Sequence, residues 1–233
     1  MRTVAATAST NDDVAALANA GEAEGLWLRA ETQSGGRGRR GRVWVSPAGN
    51  LYASTLVRLR SGDPPAPGLA LVAAVALEQV ASAYAGAARI ALKWPNDLLL
   101  DGAKLSGILL ERHGDAIVIG FGVNLAHHPE GLDRPAISLA AAGLIPSPDP
   151  ALFVEDLAAS FSAWLSRWRG EGLAPIRNRW LERAHPAGTP LVARTADGAE
   201  TKGLFGGLDA DGALLLRTGE GTQTIHAADV FLL

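Results

Sequence analysis

The sequence predicts an α+β protein: a mixed, largely antiparallel sheet with packed helices over residues 1–185, then a small β-barrel over residues 186–233. Three observations carry that expectation. Short apolar segments crowd together between residues 90 and 125 around Asp101-Gly102, a strong hairpin signal. Long helical stretches flank that region. Beyond His185-Pro186 the texture turns to short alternating segments, punctuated by Asp197-Gly198, Gly206-Gly207 and Asp211-Gly212, which reads as a small all-β unit.

Ser9 or Thr10 caps a first helix ending near Ala20, with Asp12 and Asp13 in its first turn and Gly21 as a stop. A strand over residues 25–30 leads into a glycine- and arginine-rich loop of about fifteen residues, a length usual for lids and binding loops. The next strand covers residues 51–59, and three prolines then introduce an alanine-rich helix over 68–84, apolar almost all round and so buried. Strands follow at 90–94, 97–100, 104–111 and 116–125. Pro150 opens a helix running to residue 169, with Asp149 as its cap, and another helix covers 173–183.

Composition narrows the function. The chain has no cysteine, so disulfides, thiolate metal sites and cysteinyl thioesters are excluded. No unbroken apolar run approaches the ~20 residues of a membrane span, and the first residues are too short in apolar character for a signal peptide. A cytoplasmic protein without a membrane partner is the expectation. Net charge is −3, yet Arg37 to Arg42 read RGRRGR. Positive charge so localised favours a small phosphorylated ligand over a polyanion such as DNA, because arginine donors match phosphate bidentately. Only Lys93, Lys104 and Lys202 are lysine, and the first two lie within twelve residues of each other, in segments notable on other grounds.

Several short motifs have both a structural and a chemical reading. Ser9-Thr10-Asn11 is a helix cap or a set of ligand donors. In Lys93-Trp94-Pro95-Asn96-Asp97, Pro95 cannot continue a ladder, which leaves Lys93 and Trp94 at a strand end where side chains commonly serve a site. Lys104 opens KLSGILLE after the hairpin turn, and the glycines of Gly120-Phe121-Gly122-Val123-Asn124 suggest close approach of a ligand or another strand.

In this order the STN start, Gln33 before GRGRRGRVW, KWPND, KLSGILLE, GFGVN and the terminal barrel resemble the biotin protein ligases across the whole chain. The resemblance implies a fold like the catalytic domain of class II aminoacyl-tRNA synthetases, followed by an SH3-like barrel. It implies ATP and biotin as substrates, Mg2+ with the nucleotide, a biotin carboxyl carrier protein as acceptor, and pairing of relatives into homodimers. Relatives that repress transcription carry a DNA-binding segment before STN; only eight residues precede Ser9 here, so the monofunctional form without DNA binding is expected.

By the same resemblance, Ser9, Thr10, Asn11 and Gln33 hold biotin, with Arg37, Gly38, Arg39 and Lys93 completing its pocket. Arg39, Arg42, Trp44, Asn50, Asn96, Lys104 and Asn124 fall around the nucleotide. Lys93, Arg37 and Arg39 are the catalytic candidates: the first step joins two anions, which calls for charge neutralisation and geometry rather than a covalent nucleophile. No metal ligand is assigned. The competing expectations are a lipoate or octanoate ligase, related in chemistry, and a non-enzymatic nucleic-acid-binding protein.

Overall fold

The computed structural model describes residues 1–131 and 134–232. β1 (Arg2–Thr7) leads into α1 (Thr10–Asn19), where Ser9 caps the helix and accepts from the Asp12 N–H. β2 (Trp27–Gln33) and β3 (Leu51–Arg58) flank the arginine loop, and α2 (Leu69–Ala85) follows. Next come β4 (Ile90–Lys93), β5 (Asp97–Leu100), β6 (Ala103–His113) and β7 (Ala116–Val123). These strands form a seven-stranded sheet of order β1-β2-β3-β7-β6-β5-β4, antiparallel except where β1 runs parallel to β2. The class predicted from sequence is the one observed, with one addition. β1 carries small residues on an exposed edge and has little of the alternation that marks a strand.

Alternation of side chains across the strands divides the sheet into two unlike faces. Leu51, Ala53 and Val57 of β3, with Ile117, Ile119, Phe121 and Val123 of β7, face a core shared with α2, α3 (Pro150–Glu171) and α4 (Ala174–Glu182). Leu56 and Val118 point the other way, against Val14 and Ala18 of α1. That second face also carries Gly120 and Gly122, and it is here that the sheet is low enough to hold something.

α2 shows why an unbroken apolar run is too strict a test. With the turn before it, Ala66–Ala85 is long and apolar enough to cross a membrane by length and composition, at mean hydropathy 1.5. Two-thirds of the stretch is nevertheless buried inside the protein, between the sheet and α3 and α4, which accounts for its all-round apolarity. Its one buried acid, Glu78, is fully enclosed and paired with Arg179 at 2.7 Å and Arg183 at 2.6 Å.

β8 (Pro190–Arg194), β9 (Glu200–Leu208), β10 (Leu214–Thr218), β11 (Gly221–Ile225) and β12 (Asp229–Leu232) build the second sheet, of order β11-β10-β9-β8-β12. This corrects one expectation: among the described residues no ladder joins β11 to β12, so the barrel is an open sheet. Turn signals predict hairpins one by one but carry no information on whether the first and last strands meet. The second sheet is docked against the first. The Trp94 indole donates to the Gly212 carbonyl, between β9 and β10, at 3.1 Å.

Candidate active site

A cavity of about 580 Å³ lies over the glycine-bearing face of the first sheet, roofed by the arginine loop and bounded on one side by β12. Its floor depends on three glycines. A Cβ on Gly120 would stand 2.2 Å from Asn11 Oδ1, one on Gly122 would stand 2.6 Å from the Trp44 ring, and one on Gly107 would be 3.4 Å from it. Gly107 and Gly122 are cross-strand partners, so together they clear a flat patch on which the indole lies.

The start of α1 supplies a buried polar cluster. Thr10 donates from its backbone to Gln33 Oε1 at 2.8 Å, and its hydroxyl meets Ser54 Oγ at 2.7 Å. Ser54 donates to Asn11 Oδ1 at 2.6 Å, while Asn11 Nδ2 donates to Glu111 at 2.6 Å. Ser9, Thr10 and Asn11 are each about 5% exposed or less, so their orientations are set by these bonds and not by solvent. The cap reading and the ligand reading of this motif are therefore compatible: Ser9 caps the helix, and all three line the cavity.

The loop is not featureless. Arg37 and Val43 form an isolated bridge, the Gly38 N–H donates to the Arg42 carbonyl at 2.7 Å, and a single tight turn spans Arg39–Gly41. Gly36 is obligatory here, because a Cβ would lie 2.6 Å from both Ser46 Oγ and the Trp44 carbonyl. Each arginine has a carboxylate. Arg37 reaches Asp12 at 2.5 Å and Glu111 at 3.1 Å, and its pKa is raised, chiefly by the hydrogen bond to Asp12. Arg40 meets Asp229 of β12 at 3.2 Å, Arg42 contacts the same carboxylate, and Arg39 lies 3.9 Å from it. Arg39 also donates to the Ala228 carbonyl at 3.2 Å and to Asn96 at 3.5 Å.

Deeper in, Lys93 donates to Asp97 at 2.8 Å and Lys104 to the other oxygen of the same carboxylate at 2.5 Å. Burial pushes the Lys93 ammonium down from its ordinary value, and Asp97 opposes that shift. Burial also pushes the Asp97 carboxyl up, but Lys104 and Lys93 outweigh it and bring it to about 2. Asn96 is fixed by donating to the Ile108 carbonyl at 2.7 Å, and Asn124 by donating to the Ile137 carbonyl at 3.2 Å. Trp44 has its indole N–H buried with no partner among the described residues, and Lys104 stands 5.7 Å from its ring centroid.

Trp94, at the same strand end as Lys93, is buried against the second sheet. Of the residues assigned to biotin or the nucleotide from sequence, all but one line this cavity. Asn50 does not. Its Oδ1 accepts from the N–H groups of Leu125, Ala126 and His127 at 3.0, 2.9 and 2.9 Å, and its Nδ2 donates to the His127 carbonyl at 2.9 Å. Its carbonyl oxygen and one of its amide protons are committed to the backbone turn beyond β7. Conversely, Arg134, Arg194, Asp229 and Phe231 line the cavity without any motif to announce them. Arg134 and Arg194 both stack on the Phe231 ring, at 3.8 and 4.8 Å from its centroid. Asp97 and Glu111 sat inside recognised motifs, and only the fold reveals what they hold.

Comparison with known proteins agrees with this geometry. Residues 4–124 match the biotin/lipoate A/B protein ligase family, and residues 191–233 match the biotin protein ligase C terminal domain. A biotin–[acetyl-CoA-carboxylase] ligase of Paracoccus denitrificans is 43% identical over 240 residues, covering 98% of each chain. The bifunctional ligase/repressor BirA of Bacillus spizizenii is 35% identical, covering 96% of this chain and 71% of that protein. In fold, the chain is similar to a biotin protein ligase from Aquifex aeolicus solved with biotin and ATP, at TM-score 0.87, 24% identity and coverage of 99% and 98%. With a family model spanning most of the first sheet and a relative alike along nearly its whole length, the chain belongs to the biotin/lipoate A/B protein ligase family.

Proposed function

We infer that this protein activates biotin with ATP to biotinyl-5′-AMP and then transfers biotin to a lysine of a biotin carboxyl carrier protein. The observation that carries the reading is one continuous cavity that joins an uncharged polar cluster at the start of α1 to a cationic end at Lys93, Lys104 and the arginine loop. A biotin ureido ring needs neutral donors and acceptors; a nucleotide phosphate chain needs cations. The order of groups along the cavity suits an acyl-adenylate. The Paracoccus denitrificans relative, named as a biotin–[acetyl-CoA-carboxylase] ligase, supports the choice of acyl group.

In the first step an oxygen of the biotin carboxylate attacks the α-phosphorus, a C–O–P bond forms, and pyrophosphate leaves with the electrons of the broken P–O bond. Two anions must meet, so the dominant requirement is fixed positive charge at the point of contact. Lys93 takes that role as a buried ammonium lining the cavity, together with Arg37 and Arg39 of the loop. Ser9, Thr10, Asn11 and Gln33 hold the biotin end, with Gly38 backbone closing over it. Arg42, Trp44, Asn96, Lys104 and Asn124 surround the nucleotide, and the free face of Trp44 receives the adenine. Asn50 acts at one remove, by shaping the turn next to Asn124. In the second step the carrier lysine attacks the acyl carbonyl and AMP leaves.

Mg2+ accompanies the nucleotide in this reading. Among the described residues no group of three His, Cys, Asp or Glu side chains is placed to hold a metal. The second sheet serves as a wall of the nucleotide end, through Asp229 and its arginines.

The deciding assay is pyrophosphate exchange into ATP with biotin, lipoate and octanoate side by side, followed by transfer to a carrier domain. Exchange that depends on biotin is the expected result; exchange driven by lipoate or octanoate instead would overturn the substrate assignment.

A further inference from the structure

Two ammonium groups in the cavity share a single carboxylate. Lys93 lies 2.8 Å from Asp97 Oδ2 and Lys104 lies 2.5 Å from Asp97 Oδ1, and both Lys93 and Asp97 are only 6% exposed. The arrangement is set by backbone. Asp97 pairs with Lys93 across the β4–β5 ladder and with Gly107 across the β5–β6 ladder, so the carboxylate is anchored in the sheet. The other titratable groups facing Lys93 are cations or can become so: Lys104 on β6, Arg134 in the segment after β7, and His185 in the connection to the second sheet. Asp97 is the acid in contact with Lys93, and no other carboxylate among the described residues makes an ion pair with it.

We propose that Asp97 is a positioning residue for adenylation, its two oxygens holding the Lys93 and Lys104 ammonium groups side by side so that a carboxylate and an α-phosphate can bridge them. The proposal rests on the biotin-activating reading given above. Its logic is electrostatic. An ammonium this deeply enclosed, with like charges around it, sheds its proton unless an anion opposes the loss. A neutral amine could still accept a hydrogen bond, but it could not neutralise two converging anions. Asp97 therefore keeps Lys93 in its useful state while the cavity is empty, and the incoming phosphate takes over part of that task.

The test is the pH profile of biotin-dependent pyrophosphate exchange in the unsubstituted protein, Asp97→Asn and Asp97→Glu. Asparagine preserves shape and removes the charge. The unsubstituted protein and Asp97→Glu should share one profile shape, with little dependence on the acid side of neutrality. Asp97→Asn should lose about a hundredfold at neutral pH and recover toward acid, by up to about tenfold per pH unit, as Lys93 regains its proton. An Asp97→Asn profile parallel to that of the unsubstituted protein overturns the proposal, as does an Asp97→Glu profile that follows the asparagine variant.

Should Asp97→Asn not fold, the unsubstituted protein still decides the matter. It has three lysines, so 15N-lysine labelling gives three side-chain signals. Lys93 must appear as an ammonium at neutral pH without ligand, and its signal must respond when strong acid protonates Asp97. A neutral Lys93 amine refutes the idea. This reading needs no substrate, so it stands or falls separately from the identity of the acyl group.

Discussion

Asn50→Ala separates a residue that shapes the cavity from one that touches its occupant. The substitution removes four hydrogen bonds and leaves the N–H groups of Leu125, Ala126 and His127 without their acceptor. The Leu125 group is fully buried, and an unsatisfied buried donor costs about 1–3 kcal/mol. The other two are partly buried and recover water, at about 0.5–1 kcal/mol each. The sum is about 3 kcal/mol, which for a chain of this length lowers Tm by roughly 6–12 °C. Asn50→Asp keeps the acceptor oxygens and loses the bond to the His127 carbonyl, so it should cost clearly less than alanine. Thermal unfolding and the KM for ATP are measured on both variants. Because Asn124 heads this turn, the KM should rise in proportion to the stability lost, and least for aspartate. If Asn50→Ala melts within 2 °C of the unsubstituted protein while ATP binding collapses, the backbone-bracing account is refuted and direct ligand contact is restored.

Three further expectations follow from the same geometry. Gly122→Ala drives a methyl to within 2.6 Å of the Trp44 ring, so the indole must leave its bed; the KM for ATP should rise about tenfold with the KM for biotin nearly unchanged, and equal effects on both would count against an adenine role for Trp44. Arg39→Ala removes the loop's hydrogen bonds to Asn96 and the Ala228 carbonyl, so the variant should still form adenylate but release it at least several-fold faster, measured as adenylate dissociation; an unchanged off-rate speaks against a retaining loop. His185 is pushed down to about 4 by burial, with Lys93 adding to the shift. A histidine with a lowered folded pKa contributes stability above its unfolded value near 6.5 that is lost as pH falls toward 4. His185→Leu should therefore show a flatter Tm between pH 6.5 and 4 than the unsubstituted protein, and identical slopes would remove His185 as the acid-sensitive group.

What could be read in advance depended on how local the cause was. The caps at Ser9 and Asp149, the Asp101-Gly102 hairpin and the apolar α2 are all produced by residues close in sequence, and each element is where those signals put it. The motif residues converge because several of them sit at strand ends or at the helix start beside one glycine-bearing face. Asn50 marks the limit of motif reasoning. A buried asparagine next to a site serves a ligand or a backbone turn equally well, and only the partners decide. Arg194 and Asp229 were illegible for a different reason: they enter the cavity by docking of the second sheet, a contact between segments far apart in the chain, while Arg134 comes from the segment after β7, where no motif marks it.

The same docking is one part of how a chain of net charge −3 maintains so cationic a cavity before any anion arrives. Lys93, Lys104, Arg134, Arg194 and the four loop arginines line it against two carboxylates, Asp97 and Asp229. Left alone, such a cluster would repel itself and shed protons from its most buried member. The structure meets this by spreading acids among separate elements, so that α1 and β6 hold Arg37 through Asp12 and Glu111, β5 holds both lysines, and β12 holds three arginines. A bound polyphosphate must therefore compete with carboxylates already in place, and the net gain is a difference between ion pairs rather than their sum. That competition favours ligands whose charge is both high and correctly spaced. In the function proposed above, a nucleotide can displace these acids at several points at once where a single carboxylate such as free biotin cannot, so the cationic end would discriminate by charge geometry rather than by sign alone.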